Sequence, residues 1–295
     1  MKILISGANG VVGSDLVKFF SKKNKVYALF RTPNSINKDL NNKNIIWIKH
    51  DLKKKIKKNF EVQMIIHCAV THSLSKNKNL KDLINSNILG FLNVIEFAKR
   101  NKIQKLFHLS SVNVYGDIKS KVLNEETSFK FPDLLGCSKI LMEKMLENEK
   151  IQFLNIRLPG VVGYQINDKR RPWLCKIINQ FKENKNVTIF NSSKLFNNIV
   201  DSYEIYRFIN FLKNKKLKND TLNFSASKPI VLRKIISKIQ LTLSSNSKIR
   251  YSKKKTKHFI ISTSKVYRNY KFKISSTNNI LERYLKEFSN SLINY

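Results

Sequence analysis

Acidic residues are scarce in this chain of 295 residues: 20 Asp and Glu stand against 56 Lys and Arg, for a formal net charge of +36. Cysteine is scarcer still. Cys68, Cys137 and Cys175 are widely spaced and form no metal-ligand pattern, so no metal site is expected and the thiols read as reduced, in a cytosol. No apolar run is long enough to span a bilayer. An apolar strand begins at residue 2, so no cleavable leader is expected and the protein reads as cytoplasmic. There is no internal repeat and no long linker. No nucleic-acid motif or aromatic-interleaved basic repeat accompanies the charge. Lysine pairs and triplets (Lys22-Lys23, Lys53-Lys54-Lys55, Lys215-Lys216, Lys253-Lys254-Lys255) are spread along the chain. The charge therefore reads as compositional. Attraction to a polyanion is its functional rival, which clustering of lysine in one groove would favour.

What is present is ordinary globular material, 42% hydrophobic and long enough for one large domain or two unequal lobes. The most informative stretch comes first. Lys2–Ser6 is a short apolar run suited to a buried parallel strand. It leads into Gly7-Ala8-Asn9-Gly10-Val11-Val12-Gly13, and then into Ser14–Phe20 with apolar residues at helical spacing. Strand, glycine turn and helix stand in the order a dinucleotide site needs. The first glycine permits the tight turn, the second lets backbone approach a pyrophosphate, and the third allows close helix–strand packing. The helix N-terminus attracts the phosphate charge.

Further strands are read at Val26–Phe30, Ile45–Ile48, Met64–His67, Lys105–Leu109 and Gln152–Ile156. Helices are read at Asn79–Lys102 and from Pro132-Asp133 to about Lys150. The alternation predicts an α/β fold: a Rossmann-type, doubly wound parallel sheet with right-handed crossovers and ligands at the carboxyl ends of the strands. Arg31 follows the second strand, where an acid would bind the 2′-hydroxyl of NAD and an Arg the 2′-phosphate of NADP; NADP is preferred. Beyond residue 165 the pattern becomes irregular. A basic helix over Arg170–Lys185, short strands and helices at Asp201–Lys213, Ile230–Leu243 and Asn278–Leu292 suggest a smaller C-terminal α/β lobe. The expected division is 1–165 and 166–295, with 197–225 returning to the first part.

Several stretches together resemble the extended short-chain dehydrogenase/reductases, in particular the nucleotide-sugar epimerases, dehydratases and reductases. Besides the glycine turn, Asp51-Leu52 resembles a pair that contacts adenine, and Ile66-His67-Cys68-Ala69-Val70 a strand end of the family. Asn87–Val94 is similar to its Asn-x-x-Gly-x-x-Asn helix. Ser110–Gly116 resembles Ser-Ser-x-x-Val-Tyr-Gly, which implies a catalytic Ser111. Arg157–Gly163 and Asn197–Asp201 match two later segments.

The resemblance also carries a departure. The family places a Tyr four residues before its catalytic Lys. Here Leu135 stands four before Lys139. In the family that Tyr is the general acid/base, and the Lys lowers its pKa and holds the nicotinamide ribose. Cys137 points away on the helix and is expected to pack as a thiol. Tyr115 and Tyr164 lie beside strand ends. The resemblance implies Ser111 and Lys139 as catalytic residues. For the cofactor it implies Gly7, Asn9, Gly10, Val11, Val12, Gly13, Arg31, Asp51, Leu52, Ala69 and Lys139. For the substrate it implies Ser111, Asn113, Arg171 and Asn198, with Arg170 beside them. The implied function is hydride transfer, with NADP or NAD, at a carbon of a nucleotide-linked sugar. The rival is a catalytically impaired, cofactor-holding relative acting as sensor or scaffold. A homodimer is expected through the helices Asn79–Lys102 and Pro132–Lys150.

Overall fold

The computed structural model describes residues 1–34, 36, 40, 42–72, 80–164, 173–254 and 256–293. Seven strands make the main sheet: β1 (Lys2–Ser6), β2 (Lys25–Phe30), β3 (Ile45–Lys49), β4 (Met64–His67), β5 (Lys105–Ser111), β6 (Gln152–Leu158) and β7 (Asp220–Asn223). Their order is β7-β6-β5-β4-β1-β2-β3. The pairs β4–β5, β1–β4, β1–β2 and β2–β3 are all parallel. β1 therefore lies between β2 and β4, where the strand order reverses and a crevice opens at the carboxyl ends. The first strand is apolar at consecutive positions because both faces are covered: Ile3, Leu4 and Ile5 are fully buried.

Three helices matter for the site: α1 (Val11–Ser21), α2 (Gly90–Arg100) and α3 (Leu134–Glu147). Leu4, Ile65, Leu106 and Phe153 pack with Phe91, Val94 and Ala98 of α2 and with Met142 and Leu146 of α3. Each of these side chains except the smaller Ala98 contributes roughly 1.5–3 kcal/mol by leaving water. Phe20 of α1 meets Tyr206 edge-on, centroids 4.8 Å apart. Asp133 caps α3 by accepting from the Gly136 amide at 2.7 Å, a contact of about 1 kcal/mol.

The helix expected over Asn79–Lys102 is not one regular helix. Leu80–Leu83 is α-helical, Ile84–Leu89 forms a π-helical turn, and α2 follows; Asn79 lies outside the described residues. The wide turn carries Asn87, which is buried. Its side chain accepts from the Thr71 amide (2.8 Å) and donates to the Thr71 carbonyl (3.1 Å) and to Ser138 Oγ (3.2 Å). Three hydrogen bonds to buried groups outweigh the poorer geometry of one π turn.

The chain divides into two compact units. One comprises Met1–Asp117, Ser128–Arg157 and Ile205–Leu222; the other comprises Ile118–Thr127, Leu158–Glu204 and Asn223–Tyr295. The second unit contains short parallel pairs, Gly160–Val162 with Ile199–Asp201 and Val187–Ile189 with Ile249–Tyr251. Its own core includes Ile178, Phe181, Ile236, Ile239 and Tyr284. Arg283 ties its last helix to the buried carboxylates Asp201 and Glu204, at 2.6 and 3.1 Å. Among the described residues no helix is long and apolar enough to cross a membrane.

Candidate functional site

The glycine turn connects β1 to α1. Gly7 has φ +66°, a left-handed conformation that glycine adopts without strain. A Cβ on Gly7 would lie 2.7 Å from the Ala69 Cα, so the end of β4 is backed directly against the turn. A Cβ on Gly13 would lie 2.1 Å from the Gly7 carbonyl oxygen. The Gly10 amide donates to that same oxygen at 3.0 Å. Gly10 is the N-cap of α1 and has no side chain to cap it, so the first amides of the helix, on Val11 and Val12, receive no side-chain cap. Backbone that cannot accept even a methyl group, leading to an uncapped helix N-terminus, is the arrangement that fits a pyrophosphate.

The next strand ends stand around this turn. Arg31 follows β2 directly and is exposed. Its neighbour Thr32 accepts from Asn9 Nδ2 at 2.7 Å, and Asn34 Nδ2 donates to the Asn9 carbonyl at 2.9 Å. The Arg31 loop is therefore held to the glycine turn. After β3, Asp51 accepts from the Lys53 amide at 3.1 Å. The Leu52 carbonyl accepts from Asn93 Nδ2 at 2.7 Å, and a Cβ on Gly90 would lie 3.3 Å from the Leu52 Cβ.

Beyond β5 a short 3-10 turn, Val112–Tyr115, carries the second group of expected site residues. Ser111 Oγ accepts from the Asn113 amide and donates to Asn113 Oδ1, both at 3.2 Å. Asn113 Nδ2 donates to Asp133 Oδ2 at 3.3 Å. Gly136 lies so close that a Cβ on it would be 2.3 Å from the Asn113 carbonyl oxygen. Ser111 and Asn113 are thus joined to the start of α3, while Ser111 keeps part of its surface open.

Lys139, one turn further along α3 than Leu135, is buried. Its Nζ donates to the Leu109 carbonyl at 2.7 Å and lies 3.2 Å from His108 Nε2. Burial lowers the amine to about 8, against the opposing charge of Glu143. Under it runs a row of polar residues, of which only His67 had a place among the sequence motifs. Ser6 Oγ meets His67 Nδ1 at 2.8 Å; His67 is paired in register with His108; His108 Nδ1 meets Asn155 Oδ1 at 2.9 Å; Asn155 Nδ2 donates to Thr221 Oγ1 at 2.9 Å. Phe91 covers both imidazoles, at 4.7 and 4.9 Å. Burial and the neighbouring Lys139 hold both histidines well below their ordinary value, so both are neutral near pH 7. The available signal was a histidine at a core-facing position of an otherwise apolar strand.

Glu143, also on α3, makes a buried pair with Arg157 (2.7 Å) and accepts from Ser110 Oγ at 2.5 Å. Arg157 in turn donates to the Tyr115 hydroxyl at 2.8 Å. Tyr115 is fully buried and belongs to this internal network. Tyr164, in the second unit, donates to Asp201 at 2.9 Å; burial and then the Asp201 charge raise its hydroxyl above the ordinary value. Leu135 is 8% exposed. Cys137 corrects the expectation of a packed thiol: it is exposed, with Sγ 3.5 Å from the Pro132 carbonyl, because the helix turns it outward. Asn198 lies in the second unit, where its Oδ1 is buried without a hydrogen-bond partner. Arg170 and Arg171 lie outside the described residues. Among the described residues no group of His, Cys, Asp and Glu is placed to hold a metal ion.

A family model covers residues 3–217, which include the glycine turn, all strand ends described above and Lys139. The chain belongs to the NAD dependent epimerase/dehydratase family. Among curated relatives in this range of similarity is Protein CapI of Staphylococcus aureus, 22% identical over 237 residues, 73% of this chain and 70% of that protein. Solved family folds superpose over nearly the whole chain. UDP-glucose 4-epimerase of Thermotoga maritima, with UDP-glucose, matches at a TM-score of 0.81 and 17% identity, covering 99% of this chain and 100% of the other. UDP-glucuronic acid 4-epimerase of Bacillus cereus, in complex with NAD, matches at 0.77 and 21%, covering 98% and 99%.

Proposed function

We propose that this member of the family transfers hydride at a carbon of a nucleotide-linked sugar, with NADP preferred over NAD. One observation carries the reading. Around one reversal of strand order stand the closed glycine turn, the Arg31 loop tied to it through Asn9, and Ser111 joined to the start of α3. The sugar nucleotides named with the similar epimerases support the substrate class.

The chain's residues divide the work. Gly7, Gly10, Val11, Val12 and Gly13 hold a pyrophosphate on backbone amides. Arg31 takes the 2′-phosphate, Asp51 and Leu52 flank the adenine, and Ala69 backs the turn. When bound, a nicotinamide supplies or accepts the hydride. Lys139 holds the ribose; Ser111, with Asn113 beside it, orients the sugar oxygen. Asn198 and Arg171 are assigned to the substrate by the family resemblance, Arg171 to its phosphates. Leu135 has no proton to give, so the proton comes from water or another side chain. The test is mass spectrometry of the products formed from a panel of nucleotide sugars with NADPH and NADH. An altered sugar, or a sugar oxidised or reduced, supports the reading. Cofactor consumption by none of them, with no altered sugar, overturns it.

A second reading is favoured by the state of two tyrosines and of position 135. Tyr115 is engaged by Arg157 and Tyr164 by Asp201, and position 135 is aliphatic. On this reading the protein binds the cofactor without turnover and acts as a sensor or scaffold. Tight cofactor binding with no product from any sugar identifies it.

A homodimer is part of the proposal. Met142 and Leu146 belong to the core and are not free for an interface. Leu141 on α3, with Ile84, Leu89 and Leu92 along the preceding helical segment, leaves apolar surface exposed. Light scattering at physiological ionic strength distinguishes dimer from monomer.

A further inference from the structure

We propose that His108 is a positioning residue: with Asn155 behind it, it anchors the Lys139 amine at the end of β5. The argument starts from directionality. Asn155 donates through Nδ2 to Thr221 and presents its carbonyl oxygen to His108 Nδ1. A carbonyl oxygen only accepts, so the proton of the neutral imidazole sits on Nδ1, and Nε2 faces Lys139 as a lone pair. Lys139 donates one hydrogen there and one to the Leu109 carbonyl. An ammonium has three hydrogens. The two acceptors fix the direction of the third.

Charge follows the same geometry. Burial opposes the ammonium, and each acceptor in hydrogen-bond contact favours it. Among the described residues the groups around this amine are few. β4 contributes His67, which is neutral, and the residue after it is Cys68, whose thiol burial pushes up to about 12. β5 contributes His108, and α3 contributes Glu143, whose charge is shared with Arg157 of β6. α2 contributes the ring of Phe91, and β6 and β7 contribute the uncharged Asn155 and Thr221. Removing the His108 lone pair therefore takes away an acceptor that none of these described groups replaces.

The experiment follows Lys139 itself, in the full chain without cofactor or substrate. Lysine is labelled with carbon-13 at Cε, and the Lys139 signal is the one lost in Lys139→Met. Its titration midpoint is expected near pH 8 in the wild type. In His108→Phe the midpoint falls by about one pH unit or more, since a hydrogen bond to a charged group is worth that much. In His108→Gln, whose side-chain oxygen restores an acceptor, it stays within a few tenths of the wild type. Asn155→Leu releases the imidazole proton to move to Nε2 and lowers the midpoint in the same direction, which keeps the test available if the Phe variant does not fold. An unchanged midpoint in folded His108→Phe or Asn155→Leu, or an equal fall in the Gln variant, overturns the proposal.

Its catalytic consequence rests on the proposed role of Lys139. The alkaline limb of the kcat profile moves with the amine in His108→Phe, while KM for the sugar changes little. The titration needs no turnover, so an inactive wild-type protein overturns the functional reading alone.

Discussion

Gly13 and the carbonyl of Gly7 are in such close packing that a single methyl group added to Gly13 would stand 2.1 Å from that oxygen. The contact lies between backbone groups, so no side-chain rotamer can relieve it. Gly13→Ala is expected to push α1 away from β1 and spoil the proposed pyrophosphate cradle. Overpacking of this kind costs about 1–3 kcal/mol of stability. Thermal unfolding and a fluorescence titration with NADH and NADPH measure the two effects. Unchanged affinity for both cofactors would separate the turn from cofactor binding.

Arg31 makes a second prediction, on cofactor choice. A charge-assisted hydrogen bond to the 2′-phosphate contributes roughly 1.5–3 kcal/mol, so NADPH should bind about tenfold or more tightly than NADH. Arg31→Ala should abolish the difference by weakening NADPH alone. Calorimetric titration of both forms with both cofactors measures it, and equal wild-type affinities would remove the role given to Arg31.

Position 135 is where the proposed chemistry meets packing. Leu135 stands one helical turn before Lys139, so the two share a face of α3. Leu135→Tyr should raise the rate by about 10²–10⁴-fold, the usual worth of a positioned general acid. The gain should vanish when Lys139→Ala is added. Leu135 is 8% exposed, so a fall in thermal midpoint without any gain in rate would mean that the ring has gone into packed core.

The two buried histidines predict how stability depends on pH. In the fold His67 and His108 are held well below the ordinary value of 6.5. Below about pH 6.5 the unfolded chain takes up protons that the folded chain does not, so stability falls as pH falls. Each histidine contributes a slope of up to about 1.4 kcal/mol per pH unit. Thermal midpoints between pH 7.5 and 5 should drop steadily, and the drop should be shallower in His67→Gln. A flat profile would show that the imidazoles take up protons inside the fold.

Much of the first unit was legible because its signals are local. A run such as Lys2–Ser6 followed by three glycines at fixed spacing declares strand, turn and helix within thirteen residues. The strand at Met64–His67 was readable to the residue for the same reason. The row from Ser6 to Thr221 was not legible, since its members lie on five strands and meet only through register. Cys137 was misjudged because angle on a helix gives a direction and not what lies there. The irregular second unit gave only approximate elements, since strands of two or three residues carry no periodicity to read.

The π turn at Ile84–Leu89 has a consequence for tolerance to length. A π turn holds about one residue more than an α turn over the same rise. Deleting one residue before Asn87 would let the backbone relax to the roughly 100° step of a regular helix and would rotate Asn87 about the axis relative to α2. The amide of Thr71 and the hydroxyl of Ser138 would lose their bonds to Asn87 although no residue that bonds them had been replaced. At this point the count of residues does the work that side-chain identity does elsewhere. A one-residue deletion in this segment should therefore be more damaging than most single substitutions in it.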